Sequence, residues 1–274
     1  MSPALALSGK TREINGNNDS LEMLYQKGVK HMYDNGIEHV PSKYILPAAE
    51  RPNYVNSEKM PALMSLMSIC PLLILLNCRL VNHGIPEEII SNMVNVSKRF
   101  FEMPFSEREK YMSADMSSPV RYGTSFNQTN DGVFCWRDFL KLVCHPLSDV
   151  LPHWPSSPFD FRSRVCKSNT NIIGSRFNPY PDPFVVNVGD HLEIFSNGRY
   201  KSVLHRVLVN SMNYRISVAS LHSLPFTSTV RPSDKLIDET NPRRYKDTDF
   251  ASFLDYIKSC DSKKKNFLES RKLY

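Results

Sequence analysis

Closely paired cysteines are missing from this 274-residue sequence, and their absence excludes two classes of protein. No two of the six cysteines follow a C-x-x-C pattern; they are Cys70, Cys78, Cys135, Cys144, Cys166 and Cys260. Structural zinc sites need closely spaced cysteine and histidine pairs, and small secreted scaffolds need a much higher density of disulfides. The sequence therefore favours free thiols in a reducing compartment.

The chain also lacks a large excess of charge of either sign. The chain has 34 basic and 28 acidic residues, a net charge of +6, and one dense basic run at Lys263–Lys265. Nucleic-acid-binding surfaces need concentrated basic patches, so we expect no nucleic-acid partner. The N-terminus lacks a basic segment followed by a long apolar one, so we predict no signal peptide and expect a soluble, cytoplasmic monomer.

An unbroken hydrophobic helix is absent as well, although residues 60–78 come close to one. They carry no charge and include Leu72–Leu76, and their length approaches that of a membrane span. Pro61 and Pro71 interrupt the run. We therefore interpret it as a buried element and expect no membrane association, with a transmembrane helix as the alternative.

Helical patterns are present at several places. The segment after Pro86 begins with two glutamates and repeats apolar residues at helical spacing, which predicts a helix with one buried face. That face consists of Ile89, Ile90, Met93, Val96 and Phe100. A similar apolar stripe predicts a C-terminal helix within Thr248–Phe267.

Strand patterns follow in the second half of the chain. A hairpin is predicted within Ser125–His145, turning around Asn130-Asp-Gly132. Val- and Ile-rich runs predict strands at Phe184–Val188, Lys201–Leu208 and Ile216–Leu221, and Asn197-Gly198 predicts a tight turn between the first two.

One histidine and one arginine on these predicted strands suggest a reaction. The imidazole of His205 is a good ligand for Fe(II). The guanidinium of Arg215 can bind a carboxylate through two parallel hydrogen bonds, with the hydroxyl of Ser217 adding another. An iron site that uses an oxo-acid co-substrate needs this combination, although a lone histidine on a strand is more often structural.

These residues stand at the end of an ordered series of short blocks. The blocks are Leu80–Pro86, Phe100–Lys110, Trp136–Asp138, Trp154-Pro155, Phe184–Asp190, Ser196–Tyr200, His205-Arg206 and Arg215–Ser217. In this order they resemble the plant 2-oxoglutarate/Fe(II)-dependent dioxygenase family, above all its flavonoid- and salicylate-modifying branch. Each block is moderately specific alone, and the order makes the resemblance strongly specific.

The resemblance implies an α+β protein with a mainly β core, a double-stranded β-helix (jelly roll) preceded by N-terminal helices. It implies Fe(II), 2-oxoglutarate as co-substrate and ascorbate as an accessory reductant. His205 would be an iron ligand, and Arg215 and Ser217 would bind the distal carboxylate of 2-oxoglutarate. The expected reaction is oxygenation of a small plant secondary metabolite or hormone-like substrate.

The chain departs from this family at the metal site. The family supplies its other two ligands together as His-x-Asp, and none of the eight histidines here has an aspartate two positions later. His191-Leu-Glu193 has a similar shape, but it belongs to the block after Gly189, so we expect it not to replace the missing pair. The stretch from Arg162 to Asn178 contains no histidine.

Three regions are predicted from these observations. Residues 1–20 are expected to be disordered, and residues 21–162 form the N-terminal dioxygenase region, in which residues 60–79 are an atypical apolar segment. Residues 163–274 form a truncated, incomplete oxygenase core and a C-terminal helix. The alternative function is therefore a catalytically inactive member, truncated or mis-spliced, that lacks the iron site.

Overall fold

The structure of the protein is a computed structural model that describes residues 25–51, 78–80, 83–125, 127–128, 130–174, 184–202, 214–259 and 266–273. The helices are α1 (Val29–Asp34), α2 (Glu87–Glu102), α3 (Phe105–Arg108), α4 (Leu147–Val150), α5 (Phe161–Gly174), α6 (Asp190–Phe195), α7 (Phe250–Ser259) and α8 (Phe267–Arg271). The strands are β1 (Cys78–Leu80), β2 (Val120–Gly123), β3 (Phe139–Leu142), β4 (Phe184–Val186), β5 (Thr229–Val230) and β6 (Thr248–Asp249).

Two predictions lie outside these ranges. They are the disordered N-terminus, residues 1–20, and the apolar run, of which Cys78 alone is described. Among the helices that the structure describes, none has the length and apolar character needed to cross a membrane.

Helix α2 is the centre of the main core. The helix begins after Pro86, and Glu87 and Glu88 lie in its first turn, where acidic side chains favour the helix dipole. Val96 and Phe100 are both 0% exposed, whereas Ile89, Ile90 and Met93 are half-buried, so the predicted buried face is confirmed in the second half of the helix. They pack with Val120, Tyr122, Val150, Trp154, Phe161 and Val165. Burying a Phe or Val side chain contributes about 1.5–3 kcal/mol, so this cluster stabilises the N-terminal region and α5 as one core.

Helix α5 occupies most of the stretch between Arg162 and Asn178, where the sequence departs from its family. Val165 is 2% exposed. The Arg162 guanidinium donates from Nη2 to the Trp154 carbonyl at 2.7 Å, and the Arg99 Nη1 donates to the Asp160 carboxylate at 3.0 Å. This helix is therefore a packed part of the fold as far as the structure follows it, to Gly174.

The described strands form three two-stranded antiparallel sheets, β1–β4, β2–β3 and β5–β6. In β1–β4, Leu80 pairs with Phe184, so this sheet joins the N-terminal region to the second half of the chain. Closing a double-stranded β-helix requires longer strands with neighbours on both sides. The strands that the structure describes do not close into one.

The strand predictions have three outcomes. The first predicted strand, Phe184–Val188, is confirmed in part, because β4 contains its first three residues. The second, Lys201–Leu208, lies outside the described residues beyond Ser202. The third, Ile216–Leu221, is wrong: the segment has no regular secondary structure, and Leu221 is 93% exposed. Val and Ile favour a strand only where a neighbouring strand and a covering layer are present, and residues 214–224 pair with no described strand.

The predicted hairpin is present with different bounds. Strands β2 and β3 pair from Val120–Leu142 to Gly123–Phe139, so the connection runs over residues 124–138 and is much longer than a tight turn. Buried polar contacts hold this loop: Ser125 Oγ donates to Asp131 Oδ2 at 2.6 Å, and Asn127 Nδ2 donates to the Ile257 and Lys258 carbonyls at 3.1 Å. The loop therefore caps the C-terminus of α7.

The C-terminal half has its own small core. Its buried residues are Ile194, Val230, Tyr245 and Phe267, which come from α6, β5, the loop before β6, and α8. The predicted C-terminal helix is confirmed by α7, which ends at Ser259, and α8 begins at Phe267.

Candidate functional site

The three residues that the sequence assigns to an oxygenase site are not brought together by the described structure. Arg215 and Ser217 are both exposed and lie in the segment without regular secondary structure. His205 lies outside the described residues. Their assignment as co-substrate and metal residues therefore stays a prediction.

Glu193 is committed to structural contacts. Its side chain is 5% exposed. Its Oε1 accepts from the Tyr245 hydroxyl at 2.6 Å and from Lys201 Nζ at 3.1 Å, and its Oε2 accepts from the Ser202 N–H at 2.6 Å. Three protein donors therefore occupy most of the acceptor positions of this carboxylate, and Glu193 joins the end of α6 to the C-terminal loop. Burial and the hydrogen bond to Glu193 raise the pKa of Tyr245.

His191 is enclosed by aromatic rings. The ring centroids of Phe250, Phe253 and Phe267 lie 5.9, 5.5 and 6.2 Å from the imidazole centroid. Its Nε2 is buried and has no hydrogen-bond partner among the described residues. Burial lowers the pKa of His191, against the opposing charges of Asp190 and Asp249. The side chain thus packs as a neutral ring between α6, α7 and α8.

The predicted turn at Asn197-Gly198 is confirmed, and its hydrogen bonds join the end of α6 to the loop before β6. Asn197 and Gly198 have φ angles of 51° and 82°, the left-handed conformation that Asn and Gly tolerate best. Asn197 is 1% exposed; its Oδ1 accepts from the Arg244 N–H at 2.9 Å, and its Nδ2 donates to the Pro242 carbonyl at 3.1 Å.

His83 in the Asn-His-Gly block is a structural turn residue. It is 7% exposed, and its Nδ1 accepts from the Ile85 N–H at 3.2 Å. Its ring meets Phe184 of β4 edge-on, with centroids 4.5 Å apart. The block therefore supports the β1–β4 junction.

A buried ion pair that sequence reasoning missed connects two further blocks. The Arg108 side chain is 0% exposed, and its Nη1 donates to the Tyr122 hydroxyl at 2.5 Å and lies 4.0 Å from Asp138 Oδ2. Asp138 in turn accepts from the N–H groups of Val29 and Lys30 at 2.7 and 2.9 Å, which caps the N-terminus of α1.

The sequence held one signal for this contact. Asp138 follows a tryptophan in a family block, and α1 has no capping side chain of its own at Gly28. Burial raises the pKa of Asp138, while the two amides and Arg108 oppose that shift. The pair thus carries a desolvation penalty, which its hydrogen bonds offset only in part.

The described residues do not fit an iron site. A facial site needs three ligand side chains that converge on one metal. Across the ranges that the structure describes, no three His, Cys, Asp or Glu residues are placed to hold a metal ion.

Two protein families match this chain in sequence. Residues 78–157 match the N-terminal domain described as "non-haem dioxygenase in morphine synthesis N-terminal". Residues 161–223 match the 2OG-Fe(II) oxygenase superfamily.

Similar proteins include the Arabidopsis thaliana protein DMR6-LIKE OXYGENASE 2, which is 27% identical over 80% of this chain and 90% of its own length. Flavanone 3-dioxygenase 3 of Oryza sativa subsp. japonica is 27% identical over 71% of this chain and 83% of its own. Feruloyl CoA ortho-hydroxylase F6H1-1 of Ipomoea batatas is 26% identical over 84% of this chain and 89% of its own.

Two of these alignments, with the first Arabidopsis protein and the Ipomoea enzyme, are longer than the chain itself. The alignment with DMR6-LIKE OXYGENASE 2 has 313 positions, but it contains 80% of this 274-residue chain, or about 219 residues. At the remaining positions, about 94, only the relative has a residue. The alignment with the Ipomoea enzyme covers 321 positions and uses 84%, about 230 residues, so it leaves about 91. The relatives therefore carry internal material that this chain lacks.

The fold has a counterpart among solved structures. The crystal structure of JOX2 in complex with 2OG, Fe and JA superposes with a TM-score of 0.67 at 20% identity, covering 90% of this chain and 98% of that one. The shared fold, the two matched families and the relatives agree. The chain belongs to the plant 2-oxoglutarate/Fe(II)-dependent dioxygenase family, whose members use Fe(II) and 2-oxoglutarate.

Proposed function

We propose that this protein belongs functionally to oxygenases that act on a small plant secondary metabolite or hormone-like substrate, with 2-oxoglutarate as co-substrate. The observation that supports this proposal is the order of matched regions, the N-terminal domain at 78–157 followed by the oxygenase domain at 161–223. The names of the relatives point to aromatic metabolites, a flavanone and feruloyl-CoA, and one structural neighbour was solved with JA.

The co-substrate would be held by Arg215 and Ser217. Arg215 is always charged and offers two parallel N–H donors, which suit the distal carboxylate of 2-oxoglutarate, and the hydroxyl of Ser217 adds a third donor. Both side chains are exposed and open to a ligand. His205 would supply one imidazole ligand to Fe(II), the metal that activates oxygen in this family.

The shortage of metal-ligating side chains favours a second candidate function. The sequence contains no His-x-Asp, and Glu193, the one carboxylate at a similar spacing from a histidine, accepts hydrogen bonds from Tyr245, Lys201 and Ser202. One histidine cannot hold a labile cation in a facial site. On this view the chain is a catalytically inactive member that keeps the co-substrate residues without the metal residues.

One assay separates the two candidates. Succinate release from 2-oxoglutarate is measured with Fe(II), ascorbate and either a flavanone or feruloyl-CoA, for the natural chain and for His205→Ala. Iron-dependent release that disappears in His205→Ala supports the active oxygenase. Equal background release from both proteins supports the inactive member.

The co-substrate assignment has its own test. If Arg215 binds the carboxylate, 2-oxoglutarate binding weakens at least tenfold in Arg215→Lys, because an ammonium cannot make the paired bonds. Arg231→Lys, at another exposed arginine, is the matched control. Equal affinity for the three proteins would remove Arg215 from the site.

A further inference from the structure

We propose that residues 214–224 are a docking strand, which pairs antiparallel with the same residues of a second copy of this chain. The proposal replaces the monomer that the sequence led us to expect. It is independent of the proposed oxygenase reaction, because it concerns the backbone of these residues and not the chemistry of their side chains.

The docking strand is straight, and its backbone is unpaired. The chain runs from residue 214 to residue 225 without a turn or a bend. Ser220 Oγ lies 3.1 Å from His222 Nε2, a contact expected where side chains two residues apart point to the same side of an extended chain. No backbone N–H or carbonyl of residues 214–224 is hydrogen-bonded to any residue that the structure describes. These residues therefore lack the neighbouring strand that would complete a sheet.

Contacts with two helices hold the docking strand at both ends. Lys98 Nζ of α2 lies 5.9 Å from the centre of the Tyr214 ring. The ring of Phe226, just beyond the other end, lies 5.1 Å from that of Phe250 at the start of α7, measured between centroids. A segment held at both ends loses less conformational freedom on pairing than a free chain end does, so its pairing costs less free energy.

The residues between these ends suit a strand that pairs with another strand. Residues 216–221 contain no charge, no proline and no glycine, and Val218 and Leu221 are 46% and 93% exposed. Single edge strands in natural proteins usually carry a charge or a proline that prevents pairing, and this segment carries neither. Because side chains alternate along an extended chain, Val218 and Leu221 point to opposite sides. The surface that binds is therefore the backbone edge and not one apolar face.

Charge favours a second copy as the partner, and it sets the direction of pairing. A second copy brings the same uncharged residues, so no charge loses its water at the centre of the pair. A parallel pair in register would place Arg215 beside the partner's Arg215, and like charges directly opposite each other destabilise a sheet.

An antiparallel pair avoids this repulsion. When the pair is centred on Ala219, Arg215 lies opposite the partner's Ser223. The two arginines are then about 26 Å apart, at about 3.3 Å per residue, which exceeds the Debye length of about 8 Å. This arrangement has a two-fold axis and gives a closed dimer.

Sedimentation equilibrium of the whole chain tests the pairing at concentrations spanning about two orders of magnitude, because mass action shifts a monomer–dimer equilibrium. The variant Val218→Pro/Ala219→Pro removes one N–H from each edge of the strand, since adjacent amides point to opposite edges, and it should raise the dissociation constant at least about tenfold. The control His39→Pro/Val40→Pro changes two exposed residues outside regular secondary structure and should leave the dissociation constant unchanged.

Disulfide cross-linking tests the direction of pairing. Ala219→Cys and Arg215→Cys are each made in Cys135→Ser, which lacks the exposed native cysteine, and are compared with Cys135→Ser alone. Antiparallel pairing should cross-link Ala219→Cys much faster than Arg215→Cys.

Equal cross-linking rates for the two cysteine variants would overturn the antiparallel direction. A monomer at every concentration, larger assemblies in place of a dimer, or a dimer that the double proline variant leaves intact would overturn the docking strand itself.

Discussion

The ion pair between Arg108 and Asp138 allows a quantitative prediction about stability. Asp138→Asn keeps the shape of the side chain, removes its charge and leaves an acceptor oxygen for one of the two α1 amides. Within the part of the chain that the structure describes, Arg108, which is 0% exposed, then keeps Asp34, at 3.8 Å from its Nη2, as its one remaining counter-charge. Breaking a buried pair costs about 3–5 kcal/mol, and the remaining contact to Asp34 moves the expected loss to the lower end, about 3 kcal/mol.

The double variant Asp138→Asn/Arg108→Met tests the coupling between the two charges more sharply than either single variant. Arg108→Met alone leaves the carboxylate buried near its two amide donors and should cost a similar amount. Because burial raises the pKa of Asp138, the ionised pair carries a desolvation penalty, and removing both charges relieves it. We expect the double variant to be more stable than the sum of the single losses predicts, by about 1–3 kcal/mol.

Urea unfolding followed by tryptophan fluorescence provides the assay, since Trp154 is 1% exposed in the same core. Asp149→Asn, at an exposed carboxylate, is the control and should change the free energy of unfolding by less than about 0.5 kcal/mol. Additive losses in the double variant, or an Asp138→Asn loss no larger than that of the control, would contradict the assignment of a coupled buried pair.

Three further predictions concern single residues. Gly28→Ala should destabilise the protein by about 2 kcal/mol or more, because φ is 98° and a Cβ would lie 2.6 Å from Asp138 Oδ1. Gly36→Ala is the control: φ is 77°, the space around it is open, and the variant should cost about 1 kcal/mol. Equal losses of unfolding free energy in urea would refute the clash at Gly28. Asn127→Ala should cost about 1 kcal/mol and speed hydrogen exchange in the last turn of α7, and unchanged exchange would show that this side chain is not the cap. Burial lowers the pKa of His191 below 6.5, so this side chain contributes stability that is present above pH 6.5 and is lost as the pH falls through the lowered pKa. The difference in unfolding free energy between the natural protein and His191→Phe should therefore change with pH in that window. Parallel pH profiles of the two proteins would contradict the burial of a neutral ring.

The sequence predicted the local elements whose signal lies in neighbouring residues. Helix α2 was predicted with its buried face, because apolar spacing and the acidic first turn are both local features. The turn at Asn197-Gly198 was predicted for the same reason, since its φ angles depend on the two residues themselves.

Contacts between distant residues could not be predicted in this way. Asp138 caps a helix that begins 109 residues earlier, and Asn127 caps α7 by donating to a carbonyl 130 residues later. The prediction for Ile216–Leu221 failed for the same physical reason, because a strand depends on partners that the local pattern does not specify. For the candidate site, residue chemistry identified His205, Arg215 and Ser217, but their convergence depends on the rest of the core.

The positions of the matched blocks explain why a strong family resemblance and an incomplete metal site coexist. Several of the matched blocks serve the fold: His83 supports the β1–β4 junction, Arg108 and Asp138 join α1 to the hairpin, and Asn197 holds the end of α6. These contacts do not depend on a metal, so they persist whether or not iron is bound. Loss of the metal ligands alone would therefore remove the reaction while leaving most of the recognisable sequence under its original structural constraints.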